Sequence, residues 1–542
     1  MAAIMLVGCA NGTAPGSTTS KEEGDGKMTT QDRLNQIAKL GSSPDDNYRV
    51  WYEIFVYSYC DSNGDGIGDL NGVRSKLSEL TALGINGIWL MPIHPSTSYH
   101  KYNVSDYYEI DPAYGTLGDF QAFMADCKAL GIDVILDLVV NHTGSDHPWF
   151  KEAVAYLRTL PAGAQPDPAV CKYVDYYNFI PASQVESKAY NKIAGTEYAY
   201  ECQFSHDMPD LNLDSQAVRD EIRSIMQYWI DKGVAGFRVD AAKEFFTGNT
   251  TKNVEVMHFL QETVESIKPD AYMVAEVWDS FATITSYYKS GFTSIFNYPF
   301  GNSNGKIVKV LRDSGNPATV KSYAEALQKA NEAYSGNHPE YIDAPFLSNH
   351  DVGRIAGFVG RDEARTKLAG AMNILMSGSV FIYYGEEIGM IAGGTNDPSK
   401  RAPMVWYANG GGGTTNPPPE CTLPAEYIFG SLDEQRSDDS SIYNYYRQAI
   451  AIRKALPVIS HGDITVEEAL NMGCVSAQRK TWGDKSCIIL MNISTEANQA
   501  DLSAYGDWTL AATLLVDEAE VTLSGNTLDM PGYSVAILIP NS

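Results

Sequence analysis

A chain of 542 residues with 44% hydrophobic content is too long for one ordinary domain and apolar enough to fill a large core. Its formal net charge of −27 sets aside a nucleic-acid partner, because phosphate binding needs a basic surface. What is left is a soluble protein whose ligand is neutral or cationic.

The chain opens on a short apolar run, Ala2 to Gly8, which ends in Leu6-Val7-Gly8-Cys9 and gives way to a Gly/Ser/Thr-rich polar stretch. The run is too short to span a membrane. It resembles the end of a bacterial lipoprotein signal with Cys9 as the lipidated residue. On that reading residues 1–45 are a signal remnant and flexible tether. The protein then sits on the extracellular face of a bacterial membrane, anchored at Cys9, or is secreted. Setting Cys9 aside leaves seven cysteines, an odd number with no short repeated spacing, which argues against a disulfide framework and a zinc site. Cys171 and Cys202 share one region and are a candidate pair.

From Tyr48 onward strand and helix patterns alternate. Val50 to Tyr57 reads as the first strand and Ile85 to Pro92 as the second. Asp119 to Leu130 is an amphipathic helix with Phe120, Phe123, Met124 and Cys127 on one face, closed by Gly131. Asp133 to Val140 is the third strand, and further strands read at 235–240, 272–277, 293–297, 344–349 and 379–384. Eight strands alternating with helices predict a (β/α)₈ TIM barrel, built from residues 46–143 and 214–456. Residues 144–213, rich in Tyr and poor in periodicity, are an inserted domain after strand three. Beyond the helix at Ile442 to Leu456 the texture changes to strands among turn signals, so residues 457–542 form a C-terminal antiparallel β-sandwich.

Two groups of residues carry chemistry. Asp61-Ser62-Asn63-Gly64-Asp65-Gly66-Ile67-Gly68-Asp69 sets oxygen-bearing side chains at alternate positions among glycines, a pattern suited to a hard cation such as Ca²⁺. Asp61, Asn63, Asp65 and Asp69 are the expected side-chain ligands and Ile67 the carbonyl donor. An EF-hand is excluded, since Gly72 stands where a Glu is needed and a strand precedes the loop. The second group lies at strand ends. Arg238 and Asp240, two residues apart, point to one face of their strand, so Arg238 is placed to hold Asp240 ionised as a nucleophile. Glu276 follows on the next strand beside Val277-Trp278, where apolar surface favours a protonated general acid. Asn349-His350-Asp351 adds a third acid.

These segments resemble the α-amylase family, glycoside hydrolase family 13, over roughly residues 48 to 542. Asp137 to His142 is similar to the family's first region, Gly236 to Asp240 to its second, Glu276-Val277-Trp278 to its third and Phe346 to Asp351 to its fourth. The resemblance implies Asp240 as nucleophile, Glu276 as acid/base and Asp351 as transition-state stabiliser. It also implies sugar contacts from His142, Arg238 and His350, stacking by Tyr102, and a contact from Lys243 beyond the cleaved bond. Met208-Pro209-Asp210-Leu211-Asn212, Gly385 to Met390 and Lys400 to Met404 resemble a group intermediate between oligo-1,6-glucosidases and neopullulanases. Asn212 stands where the family often has a calcium-binding Asp, which weighs against a second Ca²⁺ at Asn141.

The expected function is that of a monomeric, retaining endo-hydrolase of α-1,4-glucans such as starch and malto-oligosaccharides. An oligo-1,6-glucosidase, neopullulanase or glucanotransferase is the alternative in the same class. A surface glycan-binding lipoprotein without chemistry is the alternative in another, and the full set of Asp240, Glu276 and Asp351 speaks against it.

Overall fold

The structure, a computed structural model, describes residues 28–313, 315–392, 394–422 and 426–541. Cys9 and most of the stretch read as a tether lie outside the described residues. The described part begins with a helix, Thr30–Ile37, where sequence suggested flexible chain. Thr29 and Asp32 form a capping box at its start, and the helix packs on the later helix Ile442–Ala455 with Ile37 buried. The signal was present as Thr-x-x-Asp, hidden by polar composition.

The barrel is built from β1 (Val50–Ile54), β2 (Gly87–Leu90) and β3 (Asp133–Leu138). The chain then leaves it for a helix, Pro148–Leu157, and a small antiparallel sheet of β4 (Phe179–Pro181), β5 (Tyr190–Lys192) and β6 (Tyr198–Glu201), in the order β4-β6-β5. It returns as β7 (Gly236–Val239), β8 (Tyr272–Ala275), β9 (Ser294–Ile295) and β10 (Val380–Tyr383). These seven barrel strands run parallel in the order β10-β1-β2-β3-β7-β8-β9.

The segment expected as the seventh of eight strands, 344–349, is not a regular strand. It closes the ring through two isolated parallel bridges, Phe296 to Ala344 and Phe346 to Phe381. Pro345 between them has no N–H to donate, so a continuous ladder is impossible there. Its carbonyl still accepts from Phe381 at 2.9 Å. The first strand also ends earlier than its apolar run, at Ile54, because its register with β2 and β10 ends there; Val56–Tyr59 is a helical turn.

The barrel interior is a stack of aromatic side chains. Trp51 lies 5.0 Å from Tyr272, Trp89 5.5 Å from Phe296 and Phe296 4.8 Å from Phe381, ring centre to ring centre. Gly87 makes room for this packing, since a Cβ there would stand 2.4 Å from the Trp51 ring.

After the helix Ile442–Ala455 come β11 (Asp463–Val466), β12 (Val475–Trp482), β13 (Lys485–Asn492), β14 (Asn498–Asp501), β15 (Trp508–Leu514), β16 (Thr522–Ser524), β17 (Thr527–Met530) and β18 (Val535–Pro540). They form a five-stranded sheet, β11-β12-β13-β18-β15, and a three-stranded sheet, β14-β17-β16. Leu490, Leu528, Ala536 and Leu538 lie in the apolar layer of this sandwich. Lys480 of β12 ties it to the barrel by donating to the carbonyls of Leu375 and Ile459, each at 2.7 Å. Cys171 and Cys202 are both free thiols, so the candidate pair is not a disulfide.

Candidate active site

The C-terminal strand ends bring the polar residues together. Arg238, midway along β7 and only 1% exposed, is the hub. Its Nη1 donates to Asp240 Oδ1 at 2.6 Å and to Asp137 Oδ1 at 2.7 Å, and its Nη2 to Glu276 Oε2 at 2.8 Å. The period-two alternation of β7 does place Arg238 and Asp240 on one face. A second cluster surrounds His350. Its Nδ1 lies 2.6 Å from Glu53 Oε1 on β1, and its Nε2 lies 2.9 Å from Asp351 Oδ2 and 2.8 Å from Tyr102 Oη. Arg401 holds the other oxygen of Asp351 at 2.8 Å and the Tyr99 hydroxyl at 3.1 Å.

Electrostatics divide these acids into two kinds. Burial raises Asp240 above the usual carboxylate range; Arg238 pulls it back and does not win, because the same guanidinium also serves Asp137 and Glu276. Arg238 is in place to favour the ionised form of Asp240, as the strand spacing predicts, and opposes burial there. Glu276 is raised by burial and by the charges of Asp240 and Asp351, with Arg238 opposing. Asp351 is pushed up by burial too, yet His350 and Arg401 hold it well below the usual range. For His350 burial favours the neutral ring, but Asp351 and Glu53 outweigh it and lift the imidazole to about 9. Glu276 thus has a proton affinity above, and Asp351 one below, that of a free carboxylate, so the site holds acids of both kinds.

A cavity of about 990 Å³ opens over these groups. Of the residues expected from sequence, Tyr102, His142, Lys243, Asp240, Glu276 and Asp351 line it. Arg238 and His350 lie beneath, each 1% exposed, and reach it through the carboxylates. Burial keeps His142 neutral by lowering it to about 4, and its Nε2 is buried with no protein partner among the described residues. Such a nitrogen at a cavity wall is available to a ligand hydroxyl. Lys243 pairs with Asp279 at 3.3 Å and Glu244 at 3.5 Å.

Several site residues escaped the sequence reading. Glu53 had a visible signal, a charge inside the apolar strand Val50–Ile54. Arg401 sat in a recognised motif without an assigned role. Phe204 is 50% exposed at the cavity wall, and only the fold distinguishes it from an ordinary core aromatic; Trp278, expected as apolar surface beside Glu276, is 48% exposed at the same wall.

The Asp-rich loop is ordered by its own amides. Asp61 accepts from the N–H groups of Asn63, Gly64 and Gly66 at 2.7–3.0 Å, Asn63 from Asp65 at 2.9 Å, and Asp65 from Ile67 at 2.7 Å. Asp69 caps the helix Leu70–Ser75 and accepts from the Ser62 hydroxyl and amide. The donor chemistry, carboxylates with one amide and one carbonyl, suits a hard cation. Among the described residues, however, no three Asp, Glu, His or Cys side chains stand close enough together to form a metal site.

A family model described as the alpha-amylase catalytic domain matches residues 53–462. The chain is 39% identical over 419 residues to a protein named Alpha-amylase 3 from Dictyoglomus thermophilum, covering 77% of this chain and 79% of that one. It is 30% identical over 557 residues to Maltase 1 from Drosophila virilis, covering 87% and 83%. Among solved structures, Eubacterium rectale Amy13B matches with a TM-score of 0.89 at 42% identity, over 94% of this chain and 98% of that one. Because the matched stretch carries the same strands that supply Arg238, Asp240, Glu276 and Asp351, this chain belongs to the alpha-amylase family and is a glycoside hydrolase of α-glucans.

Proposed function

We propose that this glycoside hydrolase is an endo-acting α-amylase that cleaves α-1,4-glucosidic bonds in starch and malto-oligosaccharides with retention of configuration. The observation that carries the reading is the bridging of Asp240 and Glu276 by one guanidinium, that of Arg238, with Asp351 lining the same cavity. One shared guanidinium keeps the two carboxylates side by side, and double displacement calls for a separation of about 5–5.5 Å between them. In this mechanism Asp240 attacks the anomeric carbon while Glu276 protonates the departing oxygen. Water, deprotonated by Glu276, then releases the sugar from Asp240. Asp351 stays ionised between His350 and Arg401 and takes hydrogen bonds from ring hydroxyls. His142 meets the sugar with its free ring nitrogen, Tyr102 stacks on it, and Lys243 contacts the portion beyond the cleaved bond.

The test is the product profile from soluble starch, pullulan and isomaltose, with Asp240→Asn as control. A spread of α-configured malto-oligosaccharides from starch, with the variant at least about 10³-fold slower, is the expected result. Turnover confined to pullulan or isomaltose would instead favour the 1,6-specific or debranching reading. We further propose Ca²⁺ on the 61–69 loop, with Asp61, Asn63, Asp65, Asp69 and the Ile67 carbonyl as its ligands, and a lipid anchor at Cys9 on an extracellular, monomeric enzyme. The donor chemistry of the loop and the sequence around Cys9 support these two assignments.

A further inference from the structure

The two oxygens of Glu276 have different surroundings. Oε2 receives two N–H donors, Arg238 Nη2 at 2.8 Å and the amide of Ala241 at 3.0 Å. Ala241 adopts a left-handed φ of 47°, uncommon for a residue with a Cβ, so the backbone is strained at the residue that aims this amide. Among the described residues Oε1 has one hydrogen-bond partner, the Tyr298 hydroxyl, which donates to the ionised form at 3.3 Å and, unlike an N–H, can rotate to accept from the protonated one. An oxygen that already accepts two N–H bonds is the carbonyl-like one, because a proton there would face both donors. Tyr298 is buried at 3% exposure, and its ring lies flat against the half-exposed Trp278, 5.3 Å away at 12°.

We propose that Glu276 carries its transferable proton on Oε1 and that Tyr298 is the positioning residue that holds it there, with Trp278 fixing the Tyr298 ring from the solvent side. The inference rests on the acid/base role given to Glu276 above. In the resting enzyme the Oε1–H bonds to the Tyr298 oxygen. The proton passes to the glycosidic oxygen as the C1–O bond breaks and an Asp240 oxygen bonds to C1. Oε1 is then a carboxylate oxygen and accepts the Tyr298 O–H. It regains a proton from the water that displaces Asp240, which leaves as a carboxylate.

The decisive comparison is leaving-group dependence of kcat/KM, which reports the first step. Tyr298→Phe keeps the ring and removes the hydroxyl. With a malto-oligosaccharide, whose leaving alcohol needs protonation, the variant should lose roughly ten- to a hundredfold, a part of the 10²–10⁴-fold range of general acid catalysis. With α-maltotriosyl fluoride, whose leaving group needs little protonic help, the loss should stay below about threefold. Equal losses on both substrates, or none on either, would overturn the proposal. Glu276→Ala is measured alongside. If it shows no such selectivity, the acid/base assignment itself fails, and that outcome is separable from a failure of Tyr298. Should Tyr298→Phe not fold, 3-fluorotyrosine at position 298 serves in its place. A more acidic phenol favours the Glu276 carboxylate, so the alkaline limb of kcat/KM should move to lower pH. Arg238, Asp240, Asp351 and the Ala241 amide, the other groups facing Glu276, are unchanged by this replacement, and an unmoved limb would refute the role.

Discussion

Glu53 shows what one buried charge contributes. It lies on β1 at 1% exposure, outside the lining of the site cavity, and fixes His350 through a 2.6 Å contact to Nδ1. With that carboxylate in place the imidazole is lifted to about 9 and directs a charged Nε2–H at Asp351. Glu53→Gln preserves the shape and removes the charge, so His350 should lose its proton at a lower pH. The expected outcome is a kcat roughly tenfold lower near neutrality, the scale of one charge-assisted hydrogen bond. Activity should recover as the pH falls, since acid restores the imidazolium. A pH–kcat profile that drops uniformly, without an acid shift of its optimum, would reduce Glu53 to a packing role. Apolar neighbours hid none of this. The sequence displayed a Glu inside an apolar strand, but its partner stands 297 positions away.

Among elements, the 61–69 loop and the bridge segment at 344–346 behave differently. The loop's alternating oxygens were legible because their spacing is local, and the turns they make are made with their own amides. Its three carboxylates within nine residues repel one another unless a cation screens them. With Ca²⁺ bound there, treatment with EDTA should lower the melting temperature by several degrees, and added Ca²⁺ but not Mg²⁺ should restore it. A melting curve indifferent to chelator would mean that the loop holds no stabilising metal. The bridge segment was read as a strand from its apolar run. That reading had the place right and the regularity wrong, because the single Pro345 interrupts the ladder while Ala344 and Phe346 still pair on either side. The helix Thr30–Ile37 was missed for the opposite reason: its capping box was present, but its burial depends on a helix about four hundred residues later.

For the whole molecule, the pairs of charges left in the interior set the pH range of stability. Glu386 and Glu387, behind β10, are each at most 2% exposed and accept from Tyr446 at 3.3 Å and Tyr52 at 2.7 Å, while each keeps one oxygen without a partner among the described residues. Burial lifts Glu386 from 4.5 to about 8 and Glu387 to about 7. Both folded values lie above the unfolded one, so the folded state binds more protons between about 4.5 and 8. Their contribution is complete below the lower limit and is lost as the pH rises through the upper. Glu386→Gln, which cannot ionise, should flatten the fall in melting temperature between pH 5 and 8 by on the order of 2–4 °C. Parallel curves for variant and parent would mean that Glu386 ionises in the fold without penalty.

By itself the sequence determined the barrel architecture and the residue types that its strand ends bring together. Apolar runs ending in polar residues announced the barrel strands, and Arg238, Asp240, Glu276, His350 and Asp351 were readable because each is set by the local alternation of a strand and by motif spacing. Only the tertiary structure decided how those charges share one another. Arg238 divides itself among three carboxylates, Glu53 and Arg401 complete the setting of Asp351, and Tyr298 selects one oxygen of Glu276. The reason is physical: a residue's type and face follow from its neighbours in sequence, while its proton affinity follows from burial and from charges that meet across the barrel, and no spacing along the chain encodes those distances.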